Sequence, residues 1–359
     1  MGKMPGEQTE QKVRALLDKK VQKDKSLHNA ILLVHSDKYQ IHWKFASGVS
    51  PDHTFHVASI GKTATSALVA KLFEQGRIDY EDPISKFLPK DLLDGLFVFQ
   101  NHDYAGNVLV RHLLNHTSGI ADYISDKPED GRTIIDLAID EPARFWTPRD
   151  TIQWAKNNLK PHFPPGGGFH YADTGYQLLG LIAEKISGKP FHQSLHEEIF
   201  NPLGMYHTYQ LFYSEPELAS PYPMANVYIG EHDVTTFKSI SVDWAGGGLV
   251  STTEDLLLFI QALKNNSLIK EATFDRMKDW ARFAKGIDYG YGLMSFRFRD
   301  VFFLLSNKYN MWGNSGSIGA FMYYVPGFDT FIVGTFNQMG YEKKHVMFLL
   351  KVLKILSKL

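Results

Sequence analysis

Cysteine is absent from all 359 residues, which excludes a disulfide framework, a thiol nucleophile and cysteine-based metal sites. A surplus of either charge is missing too: 38 Lys+Arg against 39 Asp+Glu give a formal net charge of −1. Without a basic excess the chain has no electrostatic footprint for nucleic acid. No stretch approaches the roughly 20 apolar residues that a bilayer-spanning helix needs. The amino terminus, MGKMPGEQTEQKVRALLDKKVQKDK, lacks the apolar core and cleavage site of a leader. As written the chain therefore reads as cytoplasmic; an exported protein stripped of its leader before cloning reads the same way. Internal repeats and low-complexity linkers are also missing.

What is present is an ordinary globular composition, 44% hydrophobic and 21% charged, in a chain long enough to bury a large core without metals or disulfides. Val13, Leu16, Leu17 and Val21 fall on one face of a helix expected over residues 8–24. NAILLVHSDKYQIHWKFASG (29–48) reads as two strands joined by a Ser-Asp-Lys turn. A helix follows Ser59 and ends at Gly76; another, TGYQLLGLIAEKISG, stops at Gly188. A Ser251/Glu254 capping box is expected to open a third in STTEDLLLF. The last third turns to strand in FFLLSNKY, GAFMYYVPG and TFIVGTFN. The chain closes on a helix with Val346, Leu349, Leu350, Leu353 and Leu356 in one stripe. Its lysine-rich opposite face also fits a membrane-surface helix, although packing on a sheet is the usual fate of such a stripe. This order predicts a discontinuous architecture. Residues 1–84 and 240–359 build one α/β domain, and 85–239 insert as a mostly helical domain, with a small-molecule cleft between them.

Three stretches carry candidate chemistry. In FHVASIGKTATSALVAKLFEQGRI (55–78), Ser59 and Lys62 stand three residues apart and so share a helix face. The unpaired N–H groups of a helix start favour an attacking alkoxide and a developing oxyanion. Lys62 serves as a general base only if its pKa falls well below the usual ~10.4. A purely structural reading makes Ser59 an N-cap and Lys62 a solvated side chain. Tyr171, in PPGGGFHYADTGYQLLG, follows a Gly-rich loop and precedes a helix. Held near a lysine, its phenolate can take the serine proton and return it to a leaving group. In MWGNSGSIGAF, Gly316 and Gly319 let backbone approach a ligand closely, and a backbone N–H there can pair with that of Ser59 as an oxyanion hole.

Together, Ser59-Ile60-Gly61-Lys62, Tyr171-Ala172-Asp173 and Asn314-Ser315-Gly316-Ser317 resemble, in order and spacing, the three motifs of class C β-lactamases and their penicillin-binding-protein and esterase relatives. LLNHTSGIADY (113–123), IFNPLGMYHT (199–208), AGGGLVSTTEDLLLF (245–259) and YGYGL (289–293) are similar to the same family, so the likeness runs from about residue 28 to 335. The resemblance implies an α+β fold of the serine β-lactamase/DD-peptidase type, an antiparallel sheet flanked by terminal helices plus an inserted mostly helical domain. It implies Ser59 as acylated nucleophile, Lys62 as its partner and Tyr171 as acid/base. The N–H groups of Ser59 and Ser317 would form the oxyanion hole. Tyr123, Asp173, Asn314, Ser315 and Gly316 are the expected substrate contacts. No metal and no organic cofactor is implied; the partner is a small-molecule or short-peptide substrate, and the oligomeric state is left open. Two departures stand out. Asp173 replaces the Asn of Tyr-x-Asn, which points away from a dedicated β-lactamase. Asn314 stands where the family usually carries Lys or His, so the position supplies no cation for a substrate carboxylate.

Rival readings are poorer. His112 and His116 in HLLNH have zinc-helix spacing, but the glutamate of His-Glu-x-x-His and a third ligand are missing. The Gly-x-Ser-x-Gly of α/β-hydrolases is absent; GNSGS at 313–317 ends in serine. The remaining alternative is a non-catalytic binding or sensing protein that retains the fold. Within the enzymes, esters, β-lactams and D-amino-acid peptides or amides compete as substrates.

Overall fold

The computed structural model of the chain describes residues 5–129 and 131–359. Strands β1 (Ala30–Ser36) and β2 (Ile41–Ser47) form the expected hairpin, with Leu33 opposite Lys44. The carboxy-terminal part adds β3 (Ala281–Ala284), β4 (Ile287–Tyr289), β5 (Met294–Phe296), β6 (Met311–Ser315), β7 (Phe321–Val325) and β8 (Thr330–Thr335). These eight strands make one sheet, ordered β3-β4-β5-β6-β7-β8-β1-β2, and every neighbouring pair is antiparallel. The fold is thus the expected α+β arrangement.

Side chains alternate across a strand, and here both faces are buried. Ala30, Leu32, Val34, Phe321, Tyr323 and Ile332 pack with Val13 and Leu17 of the first helix, Pro5–Lys23, and with Leu349, Leu350, Leu353 and Leu356 of the last, Lys344–Leu356. The terminal stripe is therefore spent on the sheet, not left for a membrane surface. Ile31, Leu33, Met322 and Val333 face the other way, where the helix Thr253–Lys264 lies against β1, β7 and β8, and they belong to the same continuous core as Ala64, Leu68, Leu178 and Ile182 of the two helices that carry the candidate chemistry. Double burial explains why AILLV and FMYYV are continuously apolar. No described helix is long and apolar enough to cross a membrane.

The apolar core runs without a break from Leu68 through Leu93, Leu114, Leu178 and Leu179 into Phe259, so the division at 84/85 and 239/240 stays a proposal about organisation. Two local expectations need correction. FFLLSNKY (302–309) forms no strand: it follows a helical turn, Phe298–Val301, and holds a 3-10 turn, Asn307–Tyr309, and Phe303 and Leu304 are 82% and 84% exposed. Arg297 pairs with Asp288 and Asp300, and Phe302 N–H bonds back to Phe298 O, which turns the chain between β5 and β6. The helix Thr253–Lys264 is capped by Thr252, whose hydroxyl accepts from Asp255 N–H; the expected box at Ser251/Glu254 is one residue early. Ser251 instead belongs to a short strand, Leu249–Ser251.

Candidate active site

Ser59 is not an N-cap. It lies in a 3-10 turn, Ala58–Ile60, that leads into the helix Gly61–Glu74, whose own cap residue, Ile60, makes no side-chain capping bond. Ala58 is held at φ +49°, the left-handed region that costs a non-glycine residue energy. His56 Nδ1 fixes it by accepting the Ala58 N–H at 3.2 Å. The hydroxyl of Ser59 is left half-buried at the surface of the turn.

One helical turn on, Lys62 is fully buried. Its ammonium donates to Ser59 Oγ at 3.1 Å, to Gly246 O at 2.8 Å and to the Asp173 carboxylate. The glycines of AGGG (245–248) explain how a backbone carbonyl gets this close. A Cβ on Gly246 would stand 2.7 Å from Asp173 Oδ1, and one on Gly247 would stand 2.8 Å from the Ala58 carbonyl. Tyr171 precedes the helix Asp173–Ser187; its ring centre is 4.9 Å from Lys62 Nζ, and Lys62 and Ser59 both favour its ionised form.

The electrostatics follow from burial and these partners. Burial disfavours the Lys62 ammonium, but the Asp173 and Tyr171 charges and their hydrogen bonds outweigh it and hold Lys62 above the ordinary lysine range. Burial pushes the Tyr171 phenol up to about 12, with Lys62 pulling it down and Asp173 pushing it further up. Burial also lifts Asp173 to about 6 against the pull of Lys62. At neutral pH the group is an ammonium–carboxylate pair beside a neutral phenol. A lowered lysine pKa, the condition for Lys62 as general base, is not met. Of the Lys62–Tyr171 pair, the phenol loses its proton first.

The third motif lies against the same turn. The Asn314 amide, fully buried, donates toward Ser59 O, Thr63 Oγ1 and Gly292 O, and its oxygen accepts the Ser315 N–H. A Cβ on Gly316 would stand 2.6 Å from Ala58 Cβ and 3.2 Å from Ser59 N, so this close approach is made to the nucleophile turn. Ser315 and Ser317, on either side of Gly316, are half-buried, and the Ser317 N–H donates to no acceptor among the described residues. The structure thus brings Ser59, Lys62, Tyr171, Asp173, Asn314, Ser315, Gly316 and Ser317 together.

Three of the expected substrate contacts are corrected by burial. Tyr123 is inaccessible, its hydroxyl donating to Val242 O at 2.6 Å and accepting from Gln177 at 2.7 Å. Asp173 spends its carboxylate on Lys62, and Asn314 spends its amide on the protein. His112 and His116 are not a zinc pair: their Nδ1 atoms accept the N–H groups of Leu109 and Ala172.

Several supporting residues are not marked by the motifs. His116 packs its ring 4.2 Å from that of Tyr171, and Asp122 Oδ1 accepts the Asp173 N–H at 2.9 Å. Burial, then Lys62 and His170, keep His116 well below the usual histidine range and therefore neutral. Both residues lie in LLNHTSGIADY, which carries a family likeness without announcing which side chains support the tyrosine. Gly246, whose carbonyl holds Lys62, is visible in the sequence only as part of a glycine run.

Comparison with known proteins agrees with this geometry. A penicillin-binding protein of Bacillus subtilis is 32% identical over 260 residues, 66% of this chain and 51% of that protein. The chain thus spans about half the length of the curated relatives it matches. The structure of a D-stereospecific amidohydrolase from Streptomyces sp. superposes with a TM-score of 0.79 at 26% identity, covering 93% of this chain and 96% of that one. A D-amino acid amidase from Ochrobactrum anthropi, 21% identical, shares the fold with a TM-score of 0.76 over 97% of this chain and 99% of its own. The Beta-lactamase family model matches residues 13–353, a span that takes in all three motifs and most of both terminal helices, and the chain belongs to that family.

Proposed function

We propose that the chain is a serine hydrolase that works through an acyl-Ser59 intermediate on uncharged esters or amides. The observation that carries this reading is the 3.1 Å contact of Lys62 Nζ with Ser59 Oγ at a half-buried serine, with the Tyr171 ring centred 4.9 Å from the same ammonium. In the mechanism proposed, the Tyr171 phenolate, favoured by the Lys62 ammonium, takes the Ser59 proton as Oγ attacks the carbonyl. The oxyanion that forms is received by the N–H groups of Ser59 and Ser317. Tyr171 then passes the proton to the leaving oxygen or nitrogen, and later draws one from the water that releases the acyl group.

The substrate class rests on charge. Lys62 is neutralised by Asp173, and the Asn314 donors are engaged by Ser59, Thr63 and Gly292. Neither is free to bind a carboxylate of the kind penicillins and D-Ala-D-Ala peptides carry. Phe283, 42% exposed and stacked 6.2 Å from Tyr171, with Phe169 beside it, favours an apolar acyl group. The Streptomyces amidohydrolase, at 26% identity, supports amides within this class.

The test compares a matched pair of aryl esters, identical but for a carboxylate on one, together with benzylpenicillin. A charge-assisted bond is worth about 1.5–3 kcal/mol against about 1 for a neutral one. The neutral ester should therefore match or exceed its charged twin in kcat/KM and exceed benzylpenicillin. A clear preference for the charged ester or for benzylpenicillin contradicts the assignment.

A further inference from the structure

We propose that Asp126, His162 and His170 form a binding site for a divalent transition-metal ion of the zinc class, which braces the loop leading to Tyr171. The site stands apart from the Ser59 and Lys62 chemistry, and nothing in the sequence motifs or the family likeness assigns a metal.

The geometry is convergent. His162 Nε2 and His170 Nε2 point at the same carboxylate oxygen, Asp126 Oδ2, at 2.8 and 3.0 Å. The two rings overlie each other with centroids 3.6 Å apart, and the three ligand atoms lie within 4.8 Å of one another. A zinc ion bonds imidazole nitrogen and carboxylate oxygen at about 2.0–2.2 Å, which puts two ligand atoms about 2.9 Å apart at a right angle and about 3.3 Å apart in a tetrahedron. The observed 2.8 and 3.0 Å straddle the lower end of that range, so small side-chain rotations admit the ion. Two imidazoles and one carboxylate suit a borderline ion such as Zn²⁺ better than Ca²⁺ or Mg²⁺, which prefer all-oxygen shells.

The supports are in place as well. His162 N–H donates to Gly119 O at 2.8 Å, His170 N–H to His116 O at 2.9 Å, and Asp126 N–H to Asp122 O at 3.0 Å. The Asp122 N–H also donates to Asp126 Oδ2 at 2.8 Å, an outer bond of the sort that orients metal-ligating carboxylates. All three ligand backbones are thus pinned to the segment 116–126. His162 is exposed, and Asp126 and His170 are half-buried, which leaves an entry path and room for water to complete the coordination. A metal held at Nε2 takes the place of the Nε2 proton and leaves Nδ1 as the N–H of each ring.

What the ion would do follows from position. Residues 159–172 contain no helix or strand, yet they deliver Tyr171 to the active site. His170 is the residue before it. A metal bond there replaces two hydrogen bonds with a stiffer link across residues 126, 162 and 170. Their irregular spacing, unlike that of HLLNH, explains why no motif shows in the sequence.

The test is calorimetric titration of the metal-stripped full chain with zinc chloride, repeated on His162→Ala and His170→Ala, with melting temperatures for each. His162 is exposed, so its variant retains the fold, and the metal-free melting temperature checks this. Wild type should bind one zinc per chain with micromolar affinity or tighter and melt at a higher temperature in zinc. Each variant should bind at least tenfold more weakly and lose the zinc-induced rise. Absence of saturable binding to wild type overturns the proposal. So does one-to-one binding of unchanged affinity in both variants, which would place the ion elsewhere, for example at the His35–His42 pair.

Discussion

Asp173 sets the charge state around Ser59 in a way an amide at the same position would not. Its carboxylate holds Lys62 as an ammonium and also pushes the Tyr171 phenol upward. The sign of the consequence is definite. If the Tyr171 phenolate is the base, kcat/KM rises with pH toward a phenol pKa of about 12. Asp173→Asn removes a negative charge next to that phenol, lowers its pKa and moves the rise to lower pH, while the Asn oxygen still accepts from Lys62. A pH–rate profile of both proteins checks this; an unmoved alkaline limb contradicts Tyr171 as the base. Lys62→Ala should be worse on both counts. It removes the cation that favours the phenolate, at a cost of about 10²–10⁴ in rate. It also leaves Asp173 buried without its partner, at about 3–5 kcal/mol of stability, read by urea denaturation. A variant with near-normal turnover contradicts the assignment. At this scale the sequence is informative about identity and poor about direction. Ser59, Lys62 and Tyr171 are legible because motif order and spacing mark them. Tyr123, Asp173 and Asn314 turn inward where a substrate contact was expected, because a polar side chain does not announce in sequence which way it points.

At the scale of elements, the site is a contact between a strained turn, a glycine crossing and a strand end. Gly316 is where the end of β6 touches the turn. In Gly316→Ala the new methyl would fall 2.6 Å from Ala58 Cβ and 2.9 Å from Val57 O, displacing the Ser317 N–H from Ser59. Such overpacking costs about 1–3 kcal/mol, so most of the chain should still fold at room temperature. The turnover number per folded molecule should drop at least tenfold, since a preorganised oxyanion donor is worth about 10²–10³. Loss of stability with normal turnover would mean that β6 and the turn are not catalytic partners. The hairpin β1–β2, strands β7 and β8 and both terminal helices are legible from alternation and periodicity. FFLLSNKY is not, because apolar composition gives strand propensity but no paired neighbour. The cap falls at Thr252, one residue beyond the expected position, since Ser251 and Thr252 offer the same hydroxyl and only the backbone path distinguishes them.

At the scale of the whole molecule, a sheet buried by the terminal helices on one side and by the helix Thr253–Lys264 on the other makes a back wall for the site. Charged groups near the reacting atoms are arranged in internal pairs, in keeping with an overall formal charge of −1. The broad class is legible because the three motifs span the chain from residue 59 to 317. The substrate class is not, because it depends on whether Asn314 and Lys62 have donors to spare, which only the fold decides. The most direct test of the central claim is the intact mass of wild type and Ser59→Ala after incubation with an alkyl fluorophosphonate. The account predicts a single adduct on wild type and none on the variant. The absence of an adduct on wild type, or an equal adduct on both proteins, would contradict Ser59 as the activated nucleophile.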